Sequence, residues 1–276
     1  MIKDIVVNLS LAESGGYAGD FAVSVAGTVG AHLTGIAFVY DPIVPVAATG
    51  YVPPEVIETQ QRDNEAAAKA AIDRFNAAGG RAGLTVESTK LPASLASAGD
   101  EFGRIARRFD LAIVAQAEPD NDAVEELVAE SALFESGRPV IIVPYIQKAP
   151  LKLKRVMACW DGSRQATRAI ADAMPLLERA GQVELVIVAN ERGKQDEIPG
   201  ADMGQHLARH GLKVDVKRIT EGDIDVADAL LSHAADAGVD FMVMGGYGHS
   251  RLREFVLGGV TRSVLRSMTV PVLMSH

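Results

Sequence analysis

The feature that most constrains the fold is an internal repeat, in which three apolar segments recur in the same order along the chain. The paired segments are residues 2–8 and 153–159, 110–115 and 240–245, and 138–144 and 269–275. Members of each pair are about 130–150 residues apart. Repetition at a nearly constant offset is the sequence signature of a duplicated structural unit. We therefore interpret the chain as a tandem duplication.

Within each copy, short apolar segments alternate with segments of helical periodicity. The predicted strands are residues 5–9, 33–40, 85–90, 111–115 and 140–143 in the first copy, and 155–160, 183–189, 213–219, 241–244 and 270–274 in the second. The predicted helices are residues 55–78, 165–180, 201–210, 226–237 and 258–268. Continuously apolar strands indicate a sheet that is covered by helices on both faces, and the alternation predicts parallel βαβ units.

The predicted fold class is therefore α/β, with two tandem, doubly wound, Rossmann-like domains that each hold a five-stranded parallel sheet. The boundary is expected in the polar segment that ends at Pro150, which gives domains of residues 1–147 and 148–276. In such sheets, ligands bind beyond the carboxyl ends of the strands, where the strand order reverses. The loops after the first and fourth strands of each domain are thus the candidate sites.

Charge and composition narrow the class of ligand. The net charge is −9, but residues 1–150 carry 20 acidic and 11 basic side chains whereas residues 151–276 carry 16 of each. This balance argues against nucleic acid as a partner, and an anionic small molecule meets less repulsion in the second half.

Cys159 is the single cysteine, and we see neither an export signal nor an apolar run of roughly eighteen residues, so we expect a cytoplasmic protein without a membrane span.

A glycine-rich segment follows the fourth strand of the second copy. Gly245 and Gly248 are separated by two residues, and Gly258 follows after nine more, with Gly259 next to it. The first pair permits a tight turn close to a ligand, and the second pair opens a helix whose free N–H groups attract anions. Gly246 alone is expected in an ordinary turn. The spacing matches neither a P-loop nor the Gly-x-Gly-x-x-Gly fingerprint, yet it predicts a phosphate site built from main chain.

This motif, together with Asp161 after the first strand of the second copy, resembles the universal stress protein family in its tandem form, which is related to the adenine nucleotide alpha hydrolases. ATP-binding members of that family carry this glycine spacing, followed by Ser or Thr, and an Asp at the end of the first strand. The resemblance implies a site for ATP, alone or with Mg²⁺, in the second half. The residues that it implies for ATP binding are Asp161, Ala189, Met244, Gly245, Gly248, His249, Gly258, Gly259 and Val260.

Two positions depart from the family pattern. Gly259 stands where the family has Ser or Thr, so one hydroxyl donor to phosphate is lost, which weakens affinity by about 1 kcal/mol. His249 stands where similar proteins are commonly basic, and we expect phosphate affinity to rise below about pH 6.5 as this imidazole gains its proton.

In the first copy, residues 115–122 replace the glycine loop with three carboxylates. Ser10 takes the place of Asp161, and Ser131 lies near the expected helix start, so this copy is interpreted as degenerate.

Other candidate residues have simpler structural readings. Asp161 is also suited to cap the helix that begins near Ser163, and both roles are compatible. His206 and His210 have the spacing of metal ligands, but an exposed helix face is favoured because no third ligand accompanies them, and no metal site is predicted. Pro271 suggests that the last strand is an edge strand. In the family that the chain resembles, the fifth strands are dimer edges, which implies a homodimer or an intramolecular pseudo-dimer.

The sequence thus predicts a stress-response regulator that binds ATP or another adenine nucleotide, with a regulatory protein as a candidate partner. No catalytic set of side chains is recognised, so enzymatic activity is expected to be absent or limited to slow ATP hydrolysis. One alternative is a dimeric scaffold of the same fold that has lost nucleotide affinity, which Gly259 and the degenerate first copy favour. Another is an enzyme of the nucleotide alpha hydrolase group, against which the absence of a recognisable substrate domain counts.

Overall fold

The computed structural model describes residues 1–12, 16–42, 53–118, 123–189, 200–220, 225–246 and 259–276. The first half of the chain contains the strands β1 (Asp4–Asn8), β2 (His32–Tyr40), β3 (Val86–Ala93), β4 (Leu111–Ala115) and β5 (Val140–Val143). Its helices are α1 (Tyr17–Val29), α2 (Pro54–Arg81), α3 (Ala98–Ala106) and α4 (Ala123–Glu135).

The second half repeats this order. Its strands are β6 (Arg155–Cys159), β7 (Gln182–Ala189), β8 (Val214–Thr220), β9 (Phe241–Gly245) and β10 (Val272–Ser275). Its helices are α5 (Arg164–Leu177), α6 (Ala201–Arg209), α7 (Val226–Ala237) and α8 (Val260–Ser267). None of the helices in the described residues is long and apolar enough to cross a membrane.

The described strands form one continuous sheet in the order β3-β2-β1-β4-β5-β10-β9-β6-β7-β8. Within each half the strand pairs are parallel. The halves meet where β5 and β10 pair antiparallel, with Ile141 opposite Leu273. The strand order reverses between β1 and β4 in the first half and between β6 and β9 in the second. The predicted fold class is confirmed, and the fifth strands join the two sheets within the chain.

Both faces of this sheet are buried, as the continuously apolar strands predicted. One face packs against α1, α2, α5 and α6, through side chains such as Phe21, Phe75 and Leu207. The other face packs against α3, α4, α7 and α8, through side chains such as Phe102 and Val264. Successive strand residues alternate between the two faces. A strand in the middle of such a sheet must therefore be apolar at every position.

Two expectations about individual residues were wrong. Pro271 does not mark an edge strand, because it precedes β10, and β10 lies inside the joined sheet between β5 and β9. Because β10 begins at Val272, the missing N–H of Pro271 lies outside the ladder, and the Pro271 carbonyl accepts from the amide of Met242 at 2.9 Å. Ser131 is not near a helix start either. It lies well inside α4, which begins at Ala123 because a short acidic connection replaces the glycine-rich one.

Candidate functional site

The candidate site lies at the carboxyl ends of β6 and β9, where the strand order of the second half reverses. These strands are neighbours, with Val156 opposite Phe241 and Met157 opposite Met242. Asp161 follows the end of β6 by two residues, and Gly245 is the last residue of β9. Two of the predicted ligand residues therefore lie at the reversal point that favours ligand binding in open α/β sheets.

Asp161 orders the turn between β6 and α5. Its Oδ1 atom accepts a hydrogen bond from the amide of Ser163 at 2.9 Å, and Gly162 between them has a φ of 76° that favours glycine. The N-cap of α5 is Ser163, whose hydroxyl accepts from the amide of Ala166 at 3.1 Å. Asp161 thus supports the cap without being the cap residue. It is exposed at this edge of the sheet, where a ligand can reach its carboxylate.

Gly245 is required for packing between β9 and α5. A Cβ atom on Gly245 would lie 2.6 Å from the amide nitrogen of Ala166 and 2.7 Å from the carbonyl carbon of Gln165. These are main-chain atoms in the first turn of α5, and they have little freedom to move away. The glycine therefore lets the start of α5 lie directly against the end of β9. This packing role could not be recognised from the spacing of the glycines.

Gly246 has a role in the contact between the two halves of the chain. A Cβ atom there would lie 2.8 Å from a methyl carbon of Leu133, which belongs to α4 of the first half. The main chain is fixed on both sides, because the Gly246 amide donates to the Ser275 carbonyl at 2.9 Å and the His276 Nδ1 atom lies 3.1 Å from the Gly246 carbonyl oxygen. Gly246 is thus more than an ordinary turn residue, since its lack of a side chain admits Leu133.

The start of α8 has the form expected of an anion site. Gly259 is the N-cap, and within the described part of the chain it provides no side-chain cap for this helix. The first N–H groups of a helix have no partner within the helix and lie at the positive end of its dipole. Gly259 has a φ of −57° and a ψ of 155°, an ordinary extended conformation that Ser would also adopt. Gly248, His249 and Gly258 lie outside the described residues, so their contacts with phosphate stay predictions.

An apolar surface adjoins these two features. Met244 is 5% exposed and belongs to the same apolar cluster as Val260 at the start of α8 and Val188 near the end of β7. Ala189 ends β7, where its main chain is opposite Thr220. The described site residues therefore share one end of the sheet. They combine a carboxylate, a cluster of apolar side chains and the start of a helix whose N-cap is a glycine.

Comparison with known proteins agrees with this geometry. Residues 152–276 match the model of the universal stress protein family. This half of the chain belongs to that family. The chain, compared as a whole, is similar to a universal stress protein of Synechocystis, with 27% identity over 139 residues, which cover 49% of this chain and 46% of that protein. It is also similar to one of Methanocaldococcus jannaschii, with 38% identity over 47 residues, which cover 17% and 29%.

The fold similarity extends beyond the matched half. A solved universal stress protein of Archaeoglobus fulgidus superposes with a TM-score of 0.72 and 17% identity, covering 99% of this chain and 96% of that one. The chain spans less than half the length of the two sequence relatives that it matches. The predicted family membership is confirmed for residues 152–276. The site residues themselves stay predictions within this universal stress protein domain.

Cys159 ends β6 beside the candidate site, and His206 and His210 lie at the C-terminal end of α6. Burial, and after it the Asp161 carboxylate, raises the pKa of the Cys159 thiol to about 12, so the thiol is protonated and a poor nucleophile. The rings of His206 and His210 are 4.8 Å apart in an edge-on contact on an exposed face of α6. Among the described residues, no group of three or more His, Cys, Asp or Glu side chains is placed to hold a metal ion.

The strand register relates the two halves residue by residue. Ile5 is opposite Leu111 in the first half, as Val156 is opposite Phe241 in the second. Counting from these pairs, Ser10 takes the place of Asp161, as the sequence predicted. The hydroxyl of Ser10 donates to Oε1 of Glu125 at 3.0 Å. At this position the first half therefore has a hydroxyl that is bonded to a carboxylate of α4, whereas the second half has the exposed carboxylate of Asp161.

Proposed function

We propose that residues 148–276 form a domain that binds ATP or another adenine nucleotide, and that the protein acts as a nucleotide-dependent regulator in stress responses. The observation that carries the proposal is the arrangement at the reversal point of the second sheet. There the exposed Asp161 carboxylate, the buried Met244 and the uncapped start of α8 lie at one end of the sheet. Family membership of this half supports it.

Each part of an adenine nucleotide has a partner of suitable chemistry in this arrangement. Met244 and the end of β7 at Ala189 would line the adenine slot with apolar atoms. Asp161 uses one oxygen for the Ser163 amide, and an ionised carboxylate has further lone pairs to accept from the ribose hydroxyls. The N–H groups around Gly245, Gly248, Gly258, Gly259 and Val260 would bind the phosphates, with His249 beside them and Mg²⁺ offsetting the triphosphate charge.

The proposal also covers the organisation and setting of the protein. The chain would consist of two domains, residues 1–147 and 148–276, of which the first lacks a nucleotide site. It would work in the cytoplasm, in keeping with its single cysteine. Its signal would pass to a regulatory protein partner, or to a second copy of the chain, when nucleotide binds.

The main alternative is a scaffold of the same fold that does not bind nucleotide. One observation favours it, namely that Gly259 provides no side-chain hydroxyl at the start of α8. A site that relies on main-chain donors alone binds phosphate more weakly, since each neutral hydrogen bond contributes about 1 kcal/mol. Nucleotide binding by the purified protein separates the two functions.

The experiment measures the melting temperature of the protein, and the nucleotide that it retains, with and without 1 mM Mg-ATP. A dissociation constant near 10 μM would add about 2.7 kcal/mol to the free energy of unfolding. Asp161→Ala should weaken binding about tenfold, and Gly259→Ser should strengthen it several-fold by restoring a hydroxyl donor. Ser10→Ala, at the equivalent position of the first half, is the matched control and should leave the affinity unchanged.

Two results would decide against nucleotide binding. The first is the absence of both retained nucleotide and a melting shift at 1 mM Mg-ATP. The second is an equal effect of Asp161→Ala and Ser10→Ala on affinity, because the two substitutions differ in which half of the chain they change. Either result would leave the scaffold as the better reading.

A further inference from the structure

Gln116 is a buried polar residue that follows β4 and lies between the two halves of the chain. It is 2% exposed. Its main-chain N–H donates to the Val143 carbonyl at 2.8 Å, and its main-chain carbonyl accepts from the Tyr17 hydroxyl at 3.1 Å. The main chain of Gln116 is therefore held by β5 and α1 of the first half, so its side chain extends from a fixed point.

The side chain of Gln116 reaches into the second half. Its Nε2 group donates to the carbonyl of Leu265 at 2.8 Å and to that of Arg266 at 3.3 Å. Its Oε1 atom accepts from the amide of Tyr145 at 3.1 Å. Two carbonyls on one side and an N–H on the other allow a single orientation of the amide. A buried amide with all these bonds made is costly to disturb, since each lost partner leaves a desolvated group.

The carbonyls that Gln116 binds are those at the C-terminal end of α8. The last carbonyls of any helix lack partners within the helix. Helix α8 runs only from Val260 to Ser267, and so short a helix depends on tertiary contacts for its stability and position. The Gln116 amide satisfies two of the carbonyls from outside the helix and thereby attaches α8 to the first half.

The packing between α8 and α4 is incomplete. A cavity of about 270 Å³ lies between α4 and α8, with Gln116 and Ile142 among the residues that line it. Across it, Arg262 of α8 lies 3.8 Å from Glu126 of α4, but both side chains are more than half exposed. An exposed ion pair of this kind contributes little. The hydrogen bonds from Gln116 to α8, in contrast, are made by a buried side chain, and they join α8 to the first half beside this cavity.

The described residues of the second half show no equivalent of the Gln116 contact. By strand register, Gln116 is equivalent to Gly246, and at Gly246 the space for a side chain is taken by Leu133. The first half therefore holds the helix that follows β9, whereas the second half does not hold α4 in this way. This asymmetry gives the degenerate first half a specific task.

We propose that Gln116 is a positioning residue, which sets the place of α8 by binding its C-terminal carbonyls and so couples the first half of the chain to the phosphate end of the nucleotide site. The start of α8 moves with its end because a two-turn helix shifts as a rigid unit. The inference rests on the proposed function for its ligand. Its structural part, the position of α8, is measurable without nucleotide.

The experiment compares Gln116→Met, which keeps the length but removes the donor, with Gln116→Glu, which sets a carboxylate against the same carbonyls. Ser24→Ala is the control. It removes a different contact of α1, in which the Ser24 hydroxyl accepts from the Leu151 amide at 2.8 Å, and it does not involve α8. For each protein, amide exchange of residues 260–267 is measured without nucleotide, and the dissociation constant for Mg-ATP is measured by calorimetry.

We expect Gln116→Met to raise the Mg-ATP dissociation constant about fivefold, which corresponds to one hydrogen bond, and Gln116→Glu to raise it further. Exchange across residues 260–267, including the first turn, should be about tenfold faster in both variants. Ser24→Ala should change neither quantity. By reciprocity, Mg-ATP should slow exchange at the Tyr145 amide in the wild-type protein.

The outcomes separate the two proposals. If the wild-type protein does not bind Mg-ATP, the proposed function fails, and the exchange data alone decide whether Gln116 positions α8. If the exchange at the first turn of α8 is the same in wild type and Gln116→Met, the inference is overturned whether or not nucleotide binds. The inference is also overturned if Ser24→Ala accelerates that exchange as much as Gln116→Met does.

Discussion

The packing at Gly245 leads to a sharp prediction about the substitution Gly245→Ala. The added methyl group would lie 2.6 Å from the amide nitrogen of Ala166 and 2.8 Å from Cβ of Gln165. Carbon and nitrogen atoms that are not bonded do not approach this closely. Either α5 must move away from β9 or the main chain at the end of β9 must shift. Both changes open the packed contact between the helix and the sheet.

The magnitude follows from the cost of overpacking. Inserting a methyl group into a well-packed region costs about 1–3 kcal/mol, and the upper part of that range applies because the opposing atoms belong to a helix backbone. The lower chain entropy of Ala offsets about 0.5–1 kcal/mol of this cost. We expect a net loss of about 2 kcal/mol in the free energy of unfolding. In a protein of this size it would lower the melting temperature by about 4–8 °C.

Thermal unfolding without nucleotide measures this effect, with Gly80→Ala as the matched control. Gly80 lies within α2, and a Cβ atom there would meet nothing within 4 Å. That substitution should therefore raise the melting temperature slightly, because Ala is the better helix former. A Gly245→Ala protein that melts within 1 °C of wild type would refute the packing argument and leave ligand approach as the reason for the glycine.

Two further predictions concern buried groups of the second half. Glu184→Ala should lower the free energy of unfolding by about 2–3 kcal/mol. The side chain of Glu184 is 4% exposed, and its carboxylate oxygens lie 3.1 Å from Nε2 of His233 and 3.4 Å from Nη1 of Arg155. Its removal leaves both of these groups without this partner. Asp73→Ala, which breaks an exposed ion pair in α2, should cost under about 0.5 kcal/mol, and equal losses would contradict the role of burial. Cys159 should resist alkylation at pH 8 in the folded protein and react after unfolding, because the pKa of its thiol is raised to about 12. Mass spectrometry measures the alkylation rate in each state, and equal rates would contradict this prediction.

Local patterns were sufficient to predict the ten strands and five of the described helices, whereas α1, α3 and α4 of the first half were not predicted. Helix α7 and strands β4 and β5 have the predicted bounds, because apolar periodicity and continuous apolar runs are properties of neighbouring residues. The edge position inferred from Pro271 failed for a non-local reason. Whether a strand is an edge depends on what pairs with it, and β10 is covered by β5, which lies in the other half of the chain.

The candidate site, like the fold, could be predicted from the sequence only in part. The glycine spacing and Asp161 could be recognised from the sequence, since they lie in one loop and one turn at predicted strand ends. The roles of the individual glycines could not, because they depend on what approaches each one. Gly245 contacts the start of α5, and Gly246 contacts Leu133 of α4. Neither neighbour is adjacent in sequence.

The sequence by itself determined the duplication, the alternation of strands and helices, and the second half as the one that carries the glycine motif. These properties depend on residue type and short spacing, which act along the chain. The tertiary structure alone decided that the two sheets join through β5 and β10, and that Gln116 binds the end of α8. The latter contact joins residues 149 positions apart, and no local pattern in the sequence specifies which distant carbonyl a buried amide will meet.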